Sequence, residues 1–173
     1  KINIDNSGYA AMLGKEVVNE GLIKAELGQV HLKGGREFSL DLNGNSMVNL
    51  TVTKGELNAL VENKEAIIAD GGEVYLTTNG VNELLEGVVN NEGVVEAQSV
   101  DDVLGGGSES KKETEIDSRK GRIEIFAHGG TANVGGRLTT GEGEGFIETS
   151  GRYFNISEDA EISDLPLETS QTM

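Results

Sequence analysis

The chain contains no cysteine and no tryptophan, a single proline (Pro166), and only 4% aromatic residues. The missing cysteines exclude disulfides, thiolate metal sites and cysteine nucleophiles, and do not by themselves fix the compartment. No run of 18 apolar residues occurs, so no transmembrane helix is expected, and no leader-like segment opens the chain. Basic residues are also scarce: 14 Lys and Arg stand against 30 Asp and Glu, for a formal net charge of −16. Such a surface is repelled by phosphate backbones and anionic lipid, which argues against nucleic acid as a partner and against membrane insertion. The acidity does not read as calcium binding, because neither an EF-hand loop nor a Gly-Gly-x-Gly-x-Asp repeat is present. It reads as the solvation of a long exposed surface.

What remains is 173 residues rich in Val, Ile, Leu, Ala and 25 glycines. That mixture suits many short strands with stacked aliphatic side chains and tight turns. A phrase recurs three times: Val17-Val18-Asn19-Glu20-Gly21-Leu22-Ile23-Lys24-Ala25, Leu60 to Ala69, and Val88 to Ala97. A second phrase, Gly-x-Val/Ile-x-Leu/Ile, appears at Gly28, Gly72 and Gly121, with a weaker copy at Gly145. Ala25 to Ala69 and Gly28 to Gly72 are both 44 residues. Two alternating runs lie between these copies, Phe38 to Leu42 and Val48 to Val52, with Asn43-Gly44-Asn45 as turn residues. The interval therefore divides into two units of about 22 residues, a length suited to one turn of a stacked β-solenoid. Each strand alternates apolar-in and polar-out, and the next unit buries the inward row at a spacing of about 4.8 Å.

The expected fold is all-β, a right-handed parallel β-helix over residues 1–164. Roughly seven coils would make a rod on the order of 35 Å. Helix-friendly segments at Glu56–Val61 and Val81–Glu86 predict short helical turns at corners. Residues 101–120, with Gly105-Gly106-Gly107-Ser108 and a charged run, read as an inserted mobile loop. Residues 165–173 carry no pattern and read as a frayed or truncated end. The opening Lys1-Ile2-Asn3-Ile4-Asp5 is already strand-like, which suggests a piece of something longer.

The phrases VVNEGLIKAELGQVHLKGG, LVENKEAIIADGGEVYL and VVNNEGVVEAQSV, in this order and spacing, resemble the secretion domain of two-partner-secretion exoproteins of the filamentous haemagglutinin-like family. GRIEIFAHGGTANVGGRLTTGEGEGFIETSGRYFNISEDAEI resembles the coils that follow it, and the likeness spans about residues 9 to 162. The family's Asn-Pro-Asn motifs are absent, there being no proline before Pro166. The resemblance implies a parallel β-helix, export through an outer-membrane barrel transporter, and a place outside a Gram-negative cell, secreted or on its surface. Family members include adhesins, haem-acquisition proteins, cytolysins and contact-dependent growth-inhibition toxins. An adhesin-like rod presenting loops to an unidentified host or bacterial receptor is the expectation, with the 101–120 insertion as its contact. A toxin shaft and a haem-acquisition protein are the alternatives within the family. A β-helical polysaccharide lyase or hydrolase is the alternative outside it.

No catalytic, cofactor-binding or metal site is assigned, and no cofactor is expected. His31, Tyr75 and Glu124 share the outward position of the second phrase. On the two-unit reading His31 and Tyr75 lie roughly 10 Å apart, too far for acid–base cooperation, and all three read as ordinary solvent-facing residues. Glu124, Glu142, Glu144 and Glu148, with Arg122, Arg137 and Arg152, read as a salt-bridged surface. Gly141 to Gly145 lacks the ending of a phosphate loop, His31 and His128 lack metal-ligand spacing, and Lys111-Lys112 is too short for a basic patch. The chain is accordingly expected not to be an enzyme.

Overall fold

A computed structural model describes residues 1–5, 7–42, 48–79, 87–103, 116–141 and 145–164. Among these the chain is all-β, with no helix. Its strands fall into tiers. The first holds β1 (Ile2–Ile4), β2 (Tyr9–Gly14) and β3 (Glu16–Asn19), and the second holds β4 (Leu22–Ala25) and β5 (Gln29–Gly34). An excursion follows, made of β6 (Glu37–Leu42) and β7 (Val48–Lys54), before β8 (Leu60–Asn63) completes that tier. The third tier is β9 (Ala66–Ile68), β10 (Glu73–Asn79) and β11 (Val88–Asn91). Next come β12 (Val94–Glu96), a second excursion of β13 (Val100–Val103) and β14 (Ile116–Arg119), and the 13-residue β15 (Arg122–Val134). The last strands are β16 (Arg137–Thr139), β17 (Phe146–Ile156) and β18 (Glu161–Ser163).

Every pairing between tiers is parallel. One sheet runs β1-β4-β9-β12-β16-β18. The other runs β2-β5-β10-β15 and returns through β11-β8-β3, so that it nearly closes on itself, with β17 also paired to β15. The long β15 makes this possible: Arg122–His128 pairs with β10, while Thr131–Val134 pairs with β11. The two excursions are the exceptions, each an antiparallel pair.

The register explains the repeated phrases. Ile23 sits beside Ile67, Ile67 beside Val95, and Val95 beside Leu138. Val30, Val74 and Ile123 form a second inward row, and Val17, Val61, Val89 and Ala132 a third. Apart from Val17, these side chains are buried to within 1%. Each fully buried Val, Leu or Ile contributes about 1.5–3 kcal/mol relative to exposure. At the far end the inward row runs out of cover, leaving Phe154, Ile156 and Ile162 between 41% and 56% exposed.

The tight corner before β10 needs glycine. Gly71 has φ +68°, and a Cβ on Gly72 would strike the carbonyl oxygen of Gly28 one tier away. The equivalent corner of the tier before uses Leu27 at φ 53°, held by its N–H donating to the Asp70 carbonyl at 2.7 Å.

Three expectations change. The 44-residue interval is one tier, not two of 22, because β4 pairs directly with β9 and β5 with β10. Phe38–Leu42 and Val48–Val52 form a hairpin instead of an extra coil. At Glu56–Val61 there is no helical turn: Leu57-Asn58 is a plain turn with Asn58 at φ 53°, and β8 begins at Leu60. The segment Val81–Glu86 lies outside the described residues. Within the 101–120 insertion, 101–103 and 116–119 belong to β13 and β14, while residues 104–115 lie outside the description, as do residues 165–173.

Candidate functional site

The outer face of β5, β10 and β15 carries polar and aromatic side chains in columns set by the register. Gln29, Glu73 and Arg122 form one column, His31, Tyr75 and Glu124 the next, then Lys33, Thr77 and Phe126; Asn79 lies beside His128. The β6–β7 hairpin folds back over this face. Val48, Leu50 and Val52 alternate with exposed Asn49 and Thr51, so one side of β7 is apolar and buried. Hairpin and outer face together line a groove of about 450 Å³. A neighbouring recess of about 280 Å³, bounded by Glu124, Phe126, His128 and Glu148, shares three of its residues.

Gln29 holds the hairpin down. Its amide oxygen accepts the Val48 N–H at 2.7 Å, and its amide nitrogen donates to Glu73 at 2.5 Å. Tyr75 donates its hydroxyl to the same Glu73 carboxylate at 2.8 Å. At the other end of β7 the Asn79 amide reaches the Val52 carbonyl at 3.4 Å. Removing Gln29 leaves the buried Val48 N–H without an acceptor, a cost of about 1–3 kcal/mol borne by the hairpin. Gln29→Ala is therefore expected to raise amide exchange at Val48 by about ten-fold or more. Exchange within β10 should stay at the wild-type rate, and acceleration spread equally over both would remove the latch assignment.

His31 is the most unusual residue of the face. It is 2% exposed, and neither ring nitrogen has a hydrogen-bond partner. Its ring stacks on Tyr75 with centroids 4.9 Å apart and planes 5° apart. Burial, helped by the charge of Lys33, pushes its pKa down to about 4, so it is neutral at physiological pH. Lys33 is 7% exposed, with its ammonium 5.4 Å from the Tyr75 ring centroid. Burial holds its pKa below the ordinary lysine value, partly offset by Glu124. Burial and the nearby Glu73 carboxylate raise the Tyr75 pKa. Phe126 and His128 meet edge to face at 3.9 Å, a favoured aromatic arrangement.

His31 and Tyr75 are thus adjacent and in contact, not two coils apart, and His31 is buried under the hairpin instead of facing solvent. Glu124 completes their column but is tied to Arg122, whose Nε donates to it at 2.7 Å. Arg137 approaches Glu161 at 3.7 Å, and Arg152 lies over the Tyr153 ring at 5.7 Å. Both contacts lie away from the groove lining. Glu142, Glu144 and Lys111-Lys112 fall outside the described residues. Among the described residues no three His, Asp or Glu side chains converge as a metal site.

Nothing in the local sequence marks Lys33, Asn49, Thr77, Asn79 and Phe126, since each becomes part of a site only when β7 folds back over β5 and β10, beside β15. In comparisons with known proteins, no family model matches the chain, and no curated protein or solved structure matches it.

Proposed function

We propose that the parallel tiers wind as a right-handed β-helix and that the chain is a length of rod from a secreted bacterial surface exoprotein of the two-partner-secretion, filamentous haemagglutinin-like kind. On this reading it is not an enzyme. The rod presents its inserted hairpins to a host or bacterial surface, and export through the outer-membrane barrel transporter is a property of the parent protein.

The observation that supports this most is where extra sequence goes. The steps from Ile23 to Ile67 and from Val95 to Leu138 are 44 and 43 residues, yet the step from Ile67 to Val95 is 28. The longer steps contain the antiparallel excursions, while the ladders beneath continue in register. A scaffold that carries insertions without disturbing its stack suits display.

Beads coated with the chain are expected to adhere to epithelial or bacterial monolayers. Replacing residues 101–120 by a short Gly-Ser link should reduce that adherence several-fold with the thermal midpoint retained. No adherence by the intact chain, or full adherence by the trimmed one, would contradict presentation through this insertion. Release of reducing or unsaturated sugars from acidic polysaccharides would replace the reading with an enzymatic one.

A further inference from the structure

We infer that the groove between the β6–β7 hairpin and the outer face of β5, β10 and β15 is a binding site for a neutral saccharide. It is already formed: β7 forms one wall, and the latch residues Gln29 and Asn79 fix both ends of that strand. The ladders below fix the spacing of the side chains on the other wall.

The available chemistry selects the ligand class. A peptide adding as a strand needs free backbone groups. Here the Val48 N–H and Val52 carbonyl are engaged by Gln29 and Asn79, which leaves a single residue, Leu50, between them on that edge of β7, too short for a strand to add; β10 lies between β5 and β15 in the ladder. A phosphorylated or polyanionic ligand meets one ammonium, Lys33, but the carboxylates of Glu73 and Glu124 in the same groove. The lining mixes aromatic surface with groups that donate and accept hydrogen bonds, which does not suit a lipid chain. What remains is side-chain recognition of a hydroxyl-rich, uncharged molecule. Phe126, half-buried and perpendicular to the His128 ring, offers apolar ring surface to a sugar. Thr77 lies beside Phe126 in the ladder, Lys33 lies beside Thr77, and Asn49 lines the same groove, so all three can exchange hydrogen bonds with hydroxyls. His31 has two buried ring nitrogens without partners, so the groove floor retains polar capacity that the protein itself leaves unused.

The inference stands apart from the surface-display proposal, since a groove of this chemistry binds sugar wherever the protein resides. The test is a glycan microarray probed with the intact chain, carrying neutral galactose- and N-acetylglucosamine-terminated oligosaccharides beside sialylated and sulfated ones. Binding to a subset of the neutral glycans is expected. Phe126→Ala should weaken it by about ten-fold, and Phe126→Trp should preserve it. Phe126 lies on the outer face, so both variants are expected to keep the wild-type thermal midpoint; Thr77→Val provides an independent, smaller probe of the same wall. No binding to any glycan would overturn the inference, as would binding restricted to charged glycans or binding unchanged in both Phe126→Ala and Thr77→Val.

Discussion

Asn63→Ala is expected to be among the most damaging single substitutions in the chain, lowering stability by about 4 kcal/mol. Asn63 is fully buried and sits in an inward column with Asn19 and Asn91. The Asn19 amide donates to the Asn63 amide oxygen at 2.8 Å, and Asn63 in turn donates to the Asn91 oxygen at 2.9 Å. Asn91 passes its own donor to the Gly135 carbonyl at 2.8 Å. The middle residue also reaches the carbonyls of Glu65 and Val94 at 3.4 and 3.3 Å. Truncation strands a donor on one neighbour and an acceptor on the other, in a site with little room for water. Each unsatisfied buried group costs about 1–3 kcal/mol, and the chain of amides loses its mutual polarisation. Asn19 ends the column and makes one amide–amide bond where Asn63 makes two, so Asn19→Ala should cost about half as much. Urea unfolding of the two variants checks both the size and the order of the effects. Equal, small losses would mean that the column is not a cooperative network.

The second large effect is a dependence on pH that originates in His31. Its ordinary pKa is 6.5, and burial lowers it to about 4 in the folded protein. Between these values the unfolded chain takes up a proton that the folded chain refuses, so stability falls as pH drops through that window. Above pH 6.5 the residue is neutral in both states and contributes no slope; below about 4 both states are protonated and the loss has levelled off. The loss attributable to His31 is about 3 kcal/mol by pH 4. Carboxylates titrate at the lower end of the same range, so the comparison is with His31→Phe, which keeps a ring against Tyr75 and cannot be protonated. Unfolding free energies of wild type minus variant, followed from pH 8 to pH 4, should fall by that amount. A difference independent of pH would show that His31 is not held neutral under the hairpin.

Sequence and structure agree where the information is local. The alternation in Gly72-Glu73-Val74-Tyr75-Leu76 is the alternation of β10, and the recurring phrases occupy neighbouring strands of the same ladders. What the alternation does not carry is the partner. Phe38–Leu42 and Val48–Val52 show the same period whether they pair in parallel with a distant tier or antiparallel with each other. The Asn43-Gly44 dipeptide between them is a hairpin signal and was the available clue. Tier length decides the site as well: two tiers per 44 residues would separate His31 from Tyr75, whereas the register places them in contact. Likewise, burial of His31 depends on side chains about 20 residues later that fold back over it. The amide column had a visible trace too. Asn19, Asn63 and Asn91 stand third in Val17-Val18-Asn19, Val61-Glu62-Asn63 and Val89-Asn90-Asn91. An amide recurring at an inward position of an apolar phrase signals a hydrogen-bonded ladder.

The claim beneath all of this is that one tier spans 44 residues because it carries a hairpin. The absence of native cysteine makes a direct test simple. Val18 lies beside Glu62 in adjacent parallel strands and both side chains point outward, whereas Leu40, 22 residues after Val18, lies on the hairpin. Spin labels at Val18→Cys with Glu62→Cys should show strong dipolar broadening, because adjacent strands are about 4.8 Å apart. Labels at Val18→Cys with Leu40→Cys, on strands that do not pair, should show far weaker broadening. Strong broadening for the 22-residue pair, which would place Val18 and Leu40 on neighbouring strands, would contradict the register, and with it the groove and the buried histidine that depend on it.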